Sequence, residues 1–253
     1  MNSVHGLDHF IRYFKEYSLH YVIIGGIATN YFLLENDLDG RQTKDIDLVV
    51  LANPNNAFAD KLREYVTIGQ YQSINTDSCN YRFRNPIEPS FPKQIEIFST
   101  CPLSLKLKDK QKIVPLKTSE SIKSLSAILM DKDYFNLVKS TIIVKNDIPL
   151  LSSSGLIPLK MRAFLDLNQR RNDGEQIDLQ NIKKHRNDVL RLAQTLGKDK
   201  FILPDSIKKD CKIFVDHDEI KSMEISTLTT IVSGFGSISQ LLQTIKEYFD
   251  LGS

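Results

Sequence analysis

Cysteine is scarce in this 253-residue chain, and the three present (Cys79, Cys101 and Cys211) are odd in number and lie too far apart for metal-ligand spacing. That excludes a disulfide scaffold, makes all three structural, and points to a reducing cytoplasm. No apolar run approaches the roughly 20 residues that a membrane helix needs, so no membrane partner is expected. The N-terminus, Met1 to Asp8, lacks a basic stretch followed by an apolar core, so no signal peptide is expected. The histidines (His5, His9, His20, His185 and His217) form no metal-ligand pattern, and nothing resembles a nucleophile triad. There is no internal repeat and no low-complexity linker. The net charge of +2 is too small to argue for a nucleic-acid partner by itself.

What remains is an ordinary globular composition, 41% hydrophobic and 25% charged. The length suffices for one large core or two modest ones. Charge is unevenly distributed: residues 1–100 carry 9 Lys+Arg against 12 Asp+Glu, while the remainder carries a net +5. The basic half suits a polyanion, and equally suits solvated helix faces.

The most informative stretch begins at Tyr21-Val22-Ile23-Ile24, a buried strand that ends at Gly25-Gly26. Apolar residues then continue at helical spacing through Ile27, Tyr31, Phe32 and Leu34. A strand that passes through two glycines into a helix aims backbone N–H groups and the positive end of the helix dipole at one point, a good place for phosphate. After a polar turn comes Thr43-Lys44-Asp45-Ile46-Asp47-Leu48. Residues two apart on a strand share a face, so Asp45 and Asp47 stand together while Ile46, Leu48 and Val50 face the core. Adjacent carboxylates repel, and Mg²⁺ takes its oxygens from one or two carboxylates plus substrate phosphates. Either element alone also occurs as a turn or a solvated strand edge; their order on strand, helix and strand favours a phosphate cradle beside a cation site.

Two further strands follow. Asn80–Arg84 alternates, with Tyr81 and Phe83 on one face and Arg82 and Arg84 on the other, where they suit phosphate or solvent. In Gln94–Phe98, Glu96 sits amid apolar neighbours, where an acidic residue is unusual. It fits either an edge strand facing water or a third carboxylate of the site. From Lys117-Thr118-Ser119-Glu120 onward the pattern turns mainly helical. Helices are expected from Ser119 to Met130, after Ser152-Ser153-Ser154, from Asp178 to Leu196, after Pro204, and from Ser237 to Phe249, with a strand near Ser140–Val144. In this half Lys160 lies among apolar residues, and Asp178 stands where a helix cap would.

Gly25-Gly26 followed by Thr43-Lys44-Asp45-Ile46-Asp47-Leu48 resembles the first motif of the nucleotidyltransferase superfamily, the DNA-polymerase-β-like fold, in the form seen in the AbiEii/AbiGii toxin family. Lys160, Asp178-Leu179 and the stretch from Lys183 to Leu192 resemble that family's later motifs. The resemblance covers most of residues 20–195. It implies an α/β catalytic domain over 1–118, a mixed sheet with flanking helices, and a mainly helical domain over 119–253 that completes a cleft. It implies Mg²⁺ (or Mn²⁺) held by Asp45, Asp47 and Glu96. It also implies an NTP contacted by Gly25, Gly26, Thr43, Lys44, Lys160, Arg82 and Arg84, with Asp178 a catalytic carboxylate or a support for Lys160. The implied activity is transfer of an NMP to a hydroxyl, such as the 3′ end of tRNA, by a toxin-like enzyme with a cognate antitoxin. Small-molecule or protein acceptors, and a non-catalytic nucleotide- or partner-binding module, are the alternatives.

Overall fold

The computed structural model describes residues 4–41, 43–51, 56–77, 80–100, 125, 128–129 and 131–252. Helix α1 (Leu7–Tyr13) and a 3-10 turn lead to strand β1 (Tyr21–Ile23) and helix α2 (Gly25–Glu35). Then come β2 (Asp45–Val50), α3 (Asn56–Ile68), β3 (Gln72–Asp77), β4 (Asn80–Arg84) and β5 (Gln94–Phe98). Helix α4 (Lys132–Ser140), β6 (Ile142–Lys145), β7 (Ile148–Leu151) and a run of helices follow: α5 (Ser153–Asn172), α6 (Leu179–Ala193), α7 (Asp205–Val215), α8 (Asp218–Lys221), α9 (Ile225–Leu228) and α10 (Ile238–Tyr248).

The strands form one mixed sheet in the order β3-β4-β5-β2-β1-β7-β6. β2 runs parallel to β5 and antiparallel to β1, and β1 runs parallel to β7. The protein is therefore α/β, with helices flanking a mixed sheet. The register sorts side chains onto two faces. Tyr21, Ile23, Ile46, Leu48, Ile95 and Ile97 share one face and are buried. On that side the Tyr21 ring lies parallel to Phe58 of α3 and edge-on to Phe10 of α1. Tyr65 of α3 packs between Phe10 and Phe91. Each such aromatic pair adds about 0.5–1.5 kcal/mol beyond the area it buries. The opposite face carries Asp45, Asp47, Gln94, Glu96, Arg82 and Arg84 across β2, β5 and β4.

The strands Asn80–Arg84 and Gln94–Phe98 coincide with those expected, and Asp178 and Ser237 cap their helices as placed. The expected boundary at 118/119, and all but Leu125, Ile128 and Leu129 of the helix expected there, lie outside the described residues. Beyond it the chain returns to the sheet: β6 and β7 form a hairpin that sets β7 against the central β1. Its two turn residues, Asn146 (φ 51°) and Asp147 (φ 63°), take the left-handed conformation of a tight hairpin. Buried apolar residues from Leu7 to Leu251 form one continuous cluster. The region after 119 is mainly helical among the described residues. It supplies two strands of the seven and shares the core. Among the described residues no helix is long and apolar enough to cross a membrane.

Candidate active site

Two glycines make the cleft possible by what they leave out. Gly25 opens α2 at φ 65°, and a β-carbon there would lie 1.9 Å from Oδ2 of Asp47. A β-carbon on Gly26 would lie 2.5 Å from Oγ1 of Thr43. The helix start and the Asp-x-Asp strand therefore approach more closely than any other residue allows. Asn30 of α2 fixes the incoming loop: its Nδ2 donates to the Arg41 carbonyl at 2.5 Å, and Arg41 N donates to its Oδ1 at 3.0 Å. Asp47 then stands beside Glu96 in the parallel register of β2 and β5, and Glu96 beside Arg82 in β4.

These side chains line a cleft of about 530 Å³ together with Thr43, Lys44, Asp45 and Gln94. Across from them, α5 contributes Lys160, and α6 contributes Asn181, Lys184 and His185. Lys160 is buried, its Nζ 2.7 Å from Oδ2 of Asp188, which is itself fully buried. Arg41 donates to the same carboxylate through Nε at 3.2 Å and Nη2 at 3.4 Å. Burial by itself would raise the Asp188 carboxyl, but Lys160 and Arg41 outweigh it and hold it below the ordinary carboxylate range. Burial pulls the Lys160 ammonium down, and Asp188 opposes that pull.

The acidic wall is under strain of another kind. Burial, with Asp45 adding and Lys184, Lys160 and Arg41 opposing, pushes the Asp47 carboxyl up to about 6. Burial and the charge of Asp47 push Glu96 up to about 7, against the pull of Arg82. Two partly desolvated carboxylates side by side call for positive charge. Among the described residues no three His, Cys, Asp or Glu side chains gather closely enough to hold a metal ion by themselves. Oε1 of Glu96 is instead engaged by Arg82 Nη2 at 2.7 Å and Gln94 Nε2 at 2.8 Å. The oxygen donors Asp45 and Asp47 fit a hard cation of the Mg²⁺ kind. They do not form the three-carboxylate cage expected with Glu96.

Of the expected site residues, Gly25, Gly26, Thr43, Lys44, Asp45, Asp47, Arg82, Glu96 and Lys160 come together around one cleft. Arg84 and Asp178 do not belong to its lining. Asp178 is exposed, and its carboxylate accepts from the Gln180 N–H at 2.9 Å as the cap of α6. A carboxylate spent on the helix start cannot also hold Lys160; the residue that does so is Asp188, ten positions on. Lys184, His185 and Asp188 fall within the stretch from Lys183 to Leu192 that the sequence marked, but none was given a role of its own, and Arg41 was not singled out. The signal for Asp188 was its place beside the apolar stripe of Ile182, Val189 and Leu192, where a lone acid must be paired.

No protein-family model matches the chain, and no curated protein does. Among solved structures, the Megavirus polyadenylate synthase aligns over 76% of this chain and 34% of its own, with 11% identity and a TM-score of 0.31. The chain thus spans about a third of that protein's length.

Proposed function

We propose that this protein transfers a nucleoside monophosphate from an NTP to an acceptor hydroxyl. One observation carries the reading: Asp45 and Asp47 share a strand face, pressed against the glycine start of a helix, in a cleft whose far wall is cationic. Asp45 and Asp47 would hold Mg²⁺ or Mn²⁺, which when bound would neutralise charge on the triphosphate and activate its α-phosphorus. The Gly25-Gly26 amides and Lys160 receive phosphate oxygens, each placed where charge grows as pyrophosphate leaves. Asp188 and Asn30 keep Lys160 and Arg41 in position. Glu96 accepts the proton of the attacking hydroxyl; a carboxyl pushed up to about 7 is matched to that task near neutral pH. The new bond joins the acceptor oxygen to the α-phosphorus, and the bond to the β-phosphate breaks.

The resemblance to AbiEii/AbiGii proteins extends the proposal to a cytoplasmic, toxin-like enzyme restrained by an antitoxin, with the 3′ end of an RNA such as tRNA as acceptor. The net +5 beyond residue 100 suits a polyanionic acceptor better than a small one. The test is incubation with each labelled NTP, Mg²⁺ or Mn²⁺, and total RNA. Label on RNA that disappears with Asp45→Asn supports the reading. Label on a small molecule or on protein reassigns the acceptor, and no transfer to anything defeats the enzyme reading.

A further inference from the structure

The three cleft residues of α6 have no part in the chemistry above. Asn181, Lys184 and His185 are spaced i, i+3 and i+4 on α6, so they share one helix face, and all three line the cleft. The charges around them are unequally committed. Lys160 and Arg41 share Asp188, and Arg82 is paired to Glu96. Lys184, like Lys44 on the near wall, has no carboxylate partner among the described residues, and it is the cation whose field acts most strongly on Asp47. It therefore stands near the acidic pair without a direct ion pair. Beside it, Nδ1 of His185 is buried with no hydrogen-bond partner among the described residues. Buried polar atoms are satisfied in the great majority of cases, so an orphan on a residue that lines the cleft calls for a partner, which a ligand can supply.

We propose that Lys184 and His185 receive the terminal phosphate of the nucleoside triphosphate, Lys184 as the counter-charge and His185 as an uncharged hydrogen-bond donor. This rests on the nucleotidyl-transfer reading. The terminal phosphate carries the most charge of the three, so it settles at an unpaired cation, and of the two among the described residues of the lining, Lys44 and Lys184, it is Lys184 that stands beside the orphaned imidazole. The imidazole supplies direction and no charge: burial, Lys160 and Lys184 push it down to about 3, so it is neutral at physiological pH and keeps one N–H. A protonated ring would crowd another positive charge among Lys160, Lys184 and Arg41.

Calorimetry tests this with an NTP analogue blocked at the α–β bridge, the matching NDP and NMP, and inorganic tripolyphosphate, each with Mg²⁺. Wild type should bind the NTP analogue more tightly than the NDP. In Lys184→Met and in His185→Phe that gap should shrink about tenfold, the worth of one hydrogen bond to a charged group, while NMP affinity stays unchanged. His185→Gln, which keeps an N–H, should retain part of the gap. Equal weakening of triphosphate, diphosphate and monophosphate would place the contact at the α-phosphate or the nucleoside and overturn the proposal. An unchanged ladder with an altered melting temperature would make both residues packing elements and overturn it too. Wild type that binds tripolyphosphate through Lys184, but no nucleotide, keeps the phosphate site and defeats the nucleotidyl reading. Wild type that binds neither defeats both.

Discussion

Gly25 and Asp47 touch where no side chain fits between them: the carboxylate Oδ2 occupies the place where a β-carbon of residue 25 would be. Gly25→Ala therefore meets two obstacles. Its left-handed φ of 65° costs a non-glycine residue about 1–2 kcal/mol, and the methyl must push Asp47 aside. The expected result is a folded protein, modestly destabilised, whose Mg²⁺-dependent nucleotide binding is lost. Wild-type affinity in that variant, measured by calorimetry, would show that the carboxylate position is immaterial.

Asp188 is the counter-charge of Lys160 and Arg41, and its own removal should be the costliest of the cleft substitutions. Asp188→Asn leaves a buried ammonium without a partner and should cost about 3–5 kcal/mol in denaturant unfolding. Lys160→Met alone should cost less, because Arg41 still pairs the buried Asp188 carboxylate. The Lys160→Met, Asp188→Leu pair should recover most of that stability while staying inactive. If the double variant is as unstable as the sum of the singles, the pair is not coupled as its 2.7 Å contact requires.

The acidic wall predicts an unusual pH dependence in the metal-free protein. Asp47 and Glu96 titrate at about 6 and about 7 when folded, above their ordinary 3.8 and 4.5. A carboxyl whose folded pKa is raised binds more protons folded than unfolded. Its contribution is fully present below pH ~4 and is lost as pH rises through 6 to 7. Glu96→Gln should flatten the fall in melting temperature between pH 5 and 8, and so should saturating Mg²⁺. Asp47→Asn should raise the melting temperature of the metal-free protein while abolishing nucleotide binding. A wild-type melting temperature that climbs over that interval and falls in neither variant would contradict the carboxylate repulsion.

Asp178 should behave as a cap and nothing more. Asp178→Ala should cost about 0.5–2 kcal/mol, and Asp178→Asn much less, since asparagine caps equally well. Turnover per folded molecule should match wild type in both. A large loss of kcat in Asp178→Asn would restore the carboxylate to the chemistry.

The strands and the site were unevenly legible. Period-2 alternation around Ile46, Ile95 and Tyr81 marked strands β2, β5 and β4, because each has one buried face. Gln72–Asp77 escaped notice because its residues are polar and it lies at the sheet edge. Pro149 disguised β7, since proline ordinarily argues against an interior strand. The Gly-Gly and Asp-x-Asp elements were readable as a local pattern of strand, turn and helix. The partner of Lys160 was not: two acids, Asp178 and Asp188, follow it on or beside one helix, and only tertiary packing decides which one caps and which one pairs. Arg41 was invisible for the same reason, its contact lying 147 residues away.

That separation has a consequence for the protein during its own synthesis. The strands bearing Asp45, Asp47 and Glu96 leave the ribosome long before the helix bearing Asp188 and Lys184, and domains form N-terminal part first. Until that helix docks, the cleft has its acidic wall but lacks Lys184 and the Asp188 that pairs Lys160 and Arg41. The nascent chain therefore carries the motif but not the site. On the nucleotidyl-transfer reading, competence would come in one late step, when the last of the opposing charges arrives.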